Sequence, residues 1–146
     1  EFLGTLQDCI MSGKRTQSTF YLLLVQIHLF RPFEEKYGDE QANYLLQRTA
    51  AILHDVQKET MLKAYLGNGL FALVVPGSET ISPLMIQLRL DNRFRVMLMS
   101  RARNDGMVHV RLVHGSSEFP LHGMAADDLY RRAESELEAA RKEVER

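Results

Sequence analysis

Apolar residues crowd together from Thr19 to His28, where Thr-Phe-Tyr-Leu-Leu-Leu-Val-Gln-Ile-His leaves almost no polar position on either face. That pattern, with β-branched and aromatic members, suits a central strand covered on both sides. The period changes after Asp39. Ala42, Leu45, Leu46, Thr49, Ile52, Leu53 and Val56 recur at spacings of three and four, which predicts an amphipathic helix with Asp39, after Gly38, as its N-cap. Met61 to Leu66 and Leu70 to Pro76 are two further apolar runs separated by Gly67-Asn68-Gly69. Asn-Gly supplies the positive φ that a type I′ turn demands, so a hairpin is expected. Ser82-Pro83 opens a short helix through Leu84, Met85, Leu88 and Asp91. Phe94 to Met99 and Met107 to His114 read as strands around an Arg103-Asn-Asp-Gly106 turn. From Ala125 to Arg146 the chain is rich in Ala, Glu, Arg and Leu without Gly or Pro, which favours a helix. Phe2, Leu6, Cys9 and Ile10 mark an amphipathic helix at the start.

Helices alternating with strands predict an α+β fold: a ferredoxin-like, palm-type two-layer sandwich with a central antiparallel sheet and flanking helices. The 146 residues are expected to form a single domain, 1–146, whose C-terminal helix continues towards a neighbour. Apolar residues at 45% and charged residues at 25% argue against wholesale disorder. The net charge of −1 lacks the basic excess that neutralises phosphates, so no nucleic-acid partner is expected. Cys9 is the only cysteine, which excludes an internal disulfide and suits a reducing, cytoplasmic compartment. No apolar run approaches the ~20 residues of a membrane span, so this stretch is expected to make no direct membrane contact, even if its parent protein is anchored in an inner membrane.

Candidate chemistry is sparse. His28, His54, His109, His114 and His122 are scattered without the third ligand that a zinc site needs. Cys9 falls on an apolar helix face, where burial is expected rather than nucleophilic work. Gly67-Asn68-Gly69 offers backbone N–H groups to a phosphate, but a tight hairpin accounts for it fully. Glu34 and Glu35, adjacent on a helix, point in different directions and read as a solvated face. Arg131, Arg132, Arg141 and Lys142 alternate with Glu134, Glu136, Glu138 and Glu143 in the manner of an exposed, ion-paired helix.

Several strings, in order and spacing, resemble the GGDEF family of diguanylate cyclase domains from bacterial signalling proteins. Leu24-Val-Gln-Ile-His-Leu-Phe-Arg31 is similar to the strand and turn that reads Asp-x-Asp-x-Phe-Lys in active members. Glu34-Glu-Lys-Tyr-Gly-Asp-Glu-Gln-Ala-Asn43 resembles Asn-Asp-x-Tyr-Gly-His-x-x-Gly-Asp, and Gly67-Asn68-Gly69-Leu70-Phe71 occupies the signature hairpin. Arg132-Ala-Glu-Ser-Glu-Leu-Glu-Ala-Ala-Arg141 is similar to the family's closing helix. Active members hold two Mg²⁺ through carboxylates, as a hard cation requires. By the resemblance, Gln26 replaces the first metal-binding aspartate, and Gly69 and Leu70 replace the two acidic residues of the signature. The implied domain therefore has no catalytic residue, no metal and no cofactor, and Leu70 and Phe71 are expected to plug the old catalytic turn, the alternative being an exposed contact patch. Vestigial nucleotide contacts fall on Asn43, Arg141 and Arg31, while Glu34 has lost the amide that reads guanine. Lys58 and Met61 stand at the positions of an inhibitory Arg-x-x-Asp site for cyclic di-GMP, so that mode of binding is not expected. The function implied is a catalytically inactive regulatory or dimerisation module in cyclic di-GMP signalling, beside an EAL-type domain or as a homodimer. The alternative is a non-catalytic GTP sensor.

Overall fold

The nine-residue apolar run folds into the second element of the chain, strand β1 (Phe20–His28), and everything else is arranged around it. The computed structural model describes residues 1–101 and 110–145. In order, the elements are α1 (Phe2–Thr16), β1, α2 (Phe30–Tyr37), α3 (Asp39–Val56), β2 (Leu62–Gly67), β3 (Leu70–Pro76), α4 (Pro83–Arg101), β4 (Arg111–Phe119) and α5 (Ala126–Val144). The strands form one antiparallel sheet in the order β2-β3-β1-β4, as the expected ferredoxin-like arrangement requires.

Alternation along β1 divides the core. Leu23, Val25 and Ile27 join Phe33, Leu45, Leu53, Ile86 and Leu90 beneath α2, α3 and α4. Phe20, Leu22 and Leu24 point the other way, into a cluster with Leu6 and Ile10 of α1 and Leu129, Ala133 and Leu137 of α5. Burial on both faces explains why the strand shows no hydrophobic alternation. Gly115 brings α5 down onto β4: a Cβ there would lie 2.6 Å from the Leu137 nitrogen, inside van der Waals contact.

Two sequence expectations need correction. Phe94–Met99 is not a strand but the second half of α4, because Ile86, Leu90, Phe94 and Met97 line one buried helical face. Asp39 is not the N-cap of α3: Gly38, at φ 89°, precedes the helix, and Asp39 lies in its first turn, where its charge favours the positive helix end. The Ser82 cap is present, its Oγ accepting the Met85 N–H at 3.2 Å. The Arg103–Gly106 turn, the start of the strand expected from Met107, and His109 lie outside the described residues. From Arg111 that strand runs beyond its expected end at His114, to Phe119.

Candidate functional site

The carboxyl end of β1 meets the β2–β3 hairpin and the last turns of α5. Gly67, Asn68 and Gly69 all have positive φ, at 90°, 52° and 74°, so the hairpin turns as the Asn-Gly pair predicts. Its tip is tied down from two sides. The Gly69 carbonyl accepts the Ile27 N–H at 2.9 Å, and the Gly69 N–H donates to the Tyr65 hydroxyl at 2.9 Å. Phe30 begins α2 directly after Leu29, which takes a left-handed conformation at φ 61°. That entry presses Phe30 against the hairpin, and a Cβ built on Gly69 would lie 2.8 Å from the Phe30 Cβ. The following residues divide between the two clusters: Phe71 is buried beneath the helices of one face, and Leu70 is half-buried against the α1–α5 face.

Gln26 faces this hairpin and is only 6% exposed. Its Nε2 donates to the Asn68 carbonyl at 3.0 Å, while its Oε1 accepts from Arg141 Nε at 2.8 Å and Nη2 at 2.6 Å. The third guanidinium edge reaches Glu138 at 2.6 Å. A buried amide that finds donors and an acceptor at once is fully paired, and the fork of Arg141 is held in one orientation. Two residues along β1, His28 is buried and its Nε2 lies 3.6 Å from Glu145. The end of α5 is thus seated over the end of β1 by two side-chain pairs.

The donor set does not fit a hard divalent cation. Its side-chain oxygen, Gln26 Oε1, already accepts two N–H groups from a cation, Gly69 has no side chain, and Leu70 is apolar. Among the described residues no three His, Cys, Asp or Glu side chains converge as a metal site.

The other candidate residues are dispersed. Arg31 and Asn43 are exposed on α2 and α3, and no hydrogen bond joins them to the Gln26 network among the described residues. Glu34 is half-buried, and Glu35, Lys58 and Met61 are exposed. His54 meets Lys63 at 2.9 Å, His114 meets Asp91 at 2.7 Å, and His122 accepts the Glu118 N–H. Cys9 is buried, and burial, with Asp8 beside it, pushes its thiol pKa up, away from the reactive thiolate. Tyr65 was not anticipated, having no signal beyond its place in a hairpin strand, whereas Glu138 is one of the carboxylates expected to pair along the closing helix, and it pairs with Arg141 at i,i+3. No helix among the described residues is long and apolar enough to cross a membrane.

Comparison with known proteins bears on this site. A family model described as "Diguanylate cyclase, GGDEF domain" matches residues 1–146. No curated protein matches the chain. Among solved structures, the GGDEF domain of PA1120 (YfiN or TpbB) from Pseudomonas aeruginosa superposes with a TM-score of 0.79 at 18% identity, covering 97% of this chain and 88% of that one. The active GGEEF domain of a diguanylate cyclase from Vibrio cholerae gives 0.76 at 16%, with coverage of 97% and 88%. The diguanylate cyclase SiaD from Pseudomonas aeruginosa, in complex with its activator SiaC, gives 0.71 at 16%, covering 99% of this chain and 53% of that one. At these identities the likeness is one of fold.

Proposed function

We propose that this chain, which belongs to the GGDEF domain family, is a cyclase-incompetent member that serves as a regulatory or dimerisation module in cyclic di-GMP signalling. One observation carries the reading: at the end of β1, Gln26 and Arg141 satisfy each other where the family resemblance implies an aspartate holding magnesium. Phosphoryl transfer depends almost wholly on neutralising and positioning the triphosphate. A neutral amide already paired to a guanidinium supplies neither, and Gly69 and Leu70 add no charge. With chemistry gone, the part left to a well-packed domain is to hold and relay. The α5 helix, seated on β1 by Arg141 and Glu145, is suited to connect to an adjoining domain such as an EAL domain, inside a cytoplasmic parent or one anchored at an inner membrane. Binding of an activator protein by SiaD shows that a relative of this fold engages a protein partner.

The test is direct. The purified chain, incubated with GTP and Mg²⁺, is expected to form no cyclic di-GMP by chromatography with mass detection; product above a no-enzyme control overturns the proposal. The exposure of Arg31 and Asn43 favours one second reading, a GTP sensor without turnover. Calorimetric titration separates the two. A Kd below about 100 µM, roughly −5.5 kcal/mol, supports the sensor, and weaker or absent binding leaves the module.

A further inference from the structure

Asn68 is the one asparagine of the chain that is followed by glycine. The amide carbon of an asparagine side chain reaches the nitrogen of the next residue, and a glycine there, with no Cβ, leaves that nitrogen unhindered. Attack joins the Gly69 nitrogen to Asn68 Cγ. The bond from Cγ to the side-chain nitrogen breaks, and ammonia leaves with the proton that the Gly69 nitrogen gave up to water. Water then opens the cyclic imide at either carbonyl. One opening leaves an aspartate at position 68, and the other an isoaspartate, in which the main chain runs through the side-chain methylene.

The peptide unit that must turn and lose its proton runs from the Asn68 carbonyl to the Gly69 N–H, and side chains hold both of its polar groups. Gln26 Nε2 donates to the carbonyl at 3.0 Å, and the N–H donates to the Tyr65 hydroxyl at 2.9 Å. The proton that must leave before the nitrogen attacks is therefore the one bound to Tyr65. The next carbonyl, that of Gly69, is tied to the Ile27 N–H at 2.9 Å, which resists rotation of the turn as a whole. The reacting side chain is under no such restraint: Asn68 is exposed, and its side-chain amide makes no hydrogen bond among the described residues. We propose that Asn68 is a site of spontaneous deamidation and that Tyr65, by accepting the Gly69 N–H, governs its rate. The isoaspartate product lengthens the main chain at the hairpin tip. That shift draws the Asn68 carbonyl away from Gln26, whose amide seats Arg141, so the modification loosens the end of α5.

This inference goes beyond the module proposed above and does not rest on it; cyclase activity would overturn the module and leave the deamidation site standing. The whole chain, aged in mildly alkaline buffer, is followed by peptide mapping with mass detection, and isoaspartate is counted by labelling with an isoaspartyl methyltransferase. The native chain is expected to convert Asn68 at least about tenfold more slowly than the chain unfolded in urea. Tyr65→Phe, which keeps its ring against Phe71, is expected to convert in its folded state at least about threefold faster than the unaltered chain. Tyr130→Phe, which removes a hydroxyl on α5, is expected to leave the rate unchanged. Hydrogen exchange separates the hydroxyl from a general loosening: Tyr65→Phe should speed exchange at the Gly69 N–H and leave the amides of β1 protected. Equal rates in the native and unfolded chain overturn the proposal, as do a Tyr65→Phe rate equal to that of the unaltered chain and an absence of conversion at Asn68 in both folded proteins. Acceleration accompanied by lost protection across β1 assigns the effect to the fold and overturns it as well.

Discussion

Gly69 is the residue whose replacement best tests the packing of the β2–β3 hairpin. Two separate costs act there. At φ 74° any residue with a Cβ enters the left-handed region, at a cost of about 1–2 kcal/mol. The added Cβ would also sit 2.8 Å from Phe30 Cβ and 3.3 Å from Ile27 Cβ, an overlap that costs ~1–3 kcal/mol because both neighbours belong to packed elements. Relief by backbone movement is opposed by the bonds from Ile27 N–H and to the Tyr65 hydroxyl, so Gly69→Ala is expected to lose about 2–5 kcal/mol. Gly67 provides the control. Its φ is 90°, but nothing lies within 4 Å of its added Cβ, so Gly67→Ala incurs the conformational cost alone, about 1–2 kcal/mol. Urea denaturation of the two variants at constant m-value reads the difference as the steric part. Equal losses at the two glycines would refute the claim that Phe30 closes this position. So would a stable Gly69→Asp variant that gains cyclase activity together with Gln26→Asp and Leu70→Glu.

Two further outcomes follow from the same contacts. Arg141→Met strips two donors from the buried Gln26 oxygen and should cost ~1–3 kcal/mol, whereas the double variant Gln26→Leu/Arg141→Met should lose less than the sum of its parts, with a coupling of about 1 kcal/mol or more in a double-mutant cycle by denaturant titration. Stability should also fall in alkali: burial raises the thiol of Cys9 above its ordinary 9.0, and burial, then Glu134, raises the phenol of Tyr130 above 10.0, against an opposing effect of Arg141. Groups with raised folded values contribute stability that is complete below their unfolded pKa and is lost as pH climbs through the folded one. Melting temperature should therefore decline above about pH 9, and Cys9→Ala with Tyr130→Phe should flatten that decline; an unchanged slope would show that other groups control it.

The parts of this molecule that depend on local pattern were legible in its sequence. β1 shows as an unbroken apolar run because both its faces are covered, and the hairpin shows in Asn68-Gly69 because few other pairs accept positive φ twice. The second half of α4 was misread for a physical reason. A helix apolar on its buried face and again on its outward face has no single stripe, so Phe-Arg-Val-Met-Leu-Met imitates a strand. The Gln26–Arg141 pair was out of reach, since 115 residues separate its members and only the seating of α5 on β1 brings them together.

That pairing bears on how the framework holds together at this end of the sheet. Carboxylates gathered at the end of one strand and the tip of one hairpin repel each other, and only bound cations or substrate offset the cost. By the resemblance, this chain has an amide, a bare backbone and an isobutyl group in their places. Each is accommodated by the surrounding structure: the amide by Asn68 and Arg141, the bare backbone by Phe30, the isobutyl group by the α1–α5 cluster. A site that had merely decayed would leave unpaired buried polar atoms or voids, whereas here the Gln26 oxygen and nitrogen are both satisfied. The exchange favours a rigid join between sheet and exit helix over a charged pocket. Placing carboxylates at Gln26, Gly69 and Leu70 one at a time should therefore lower stability.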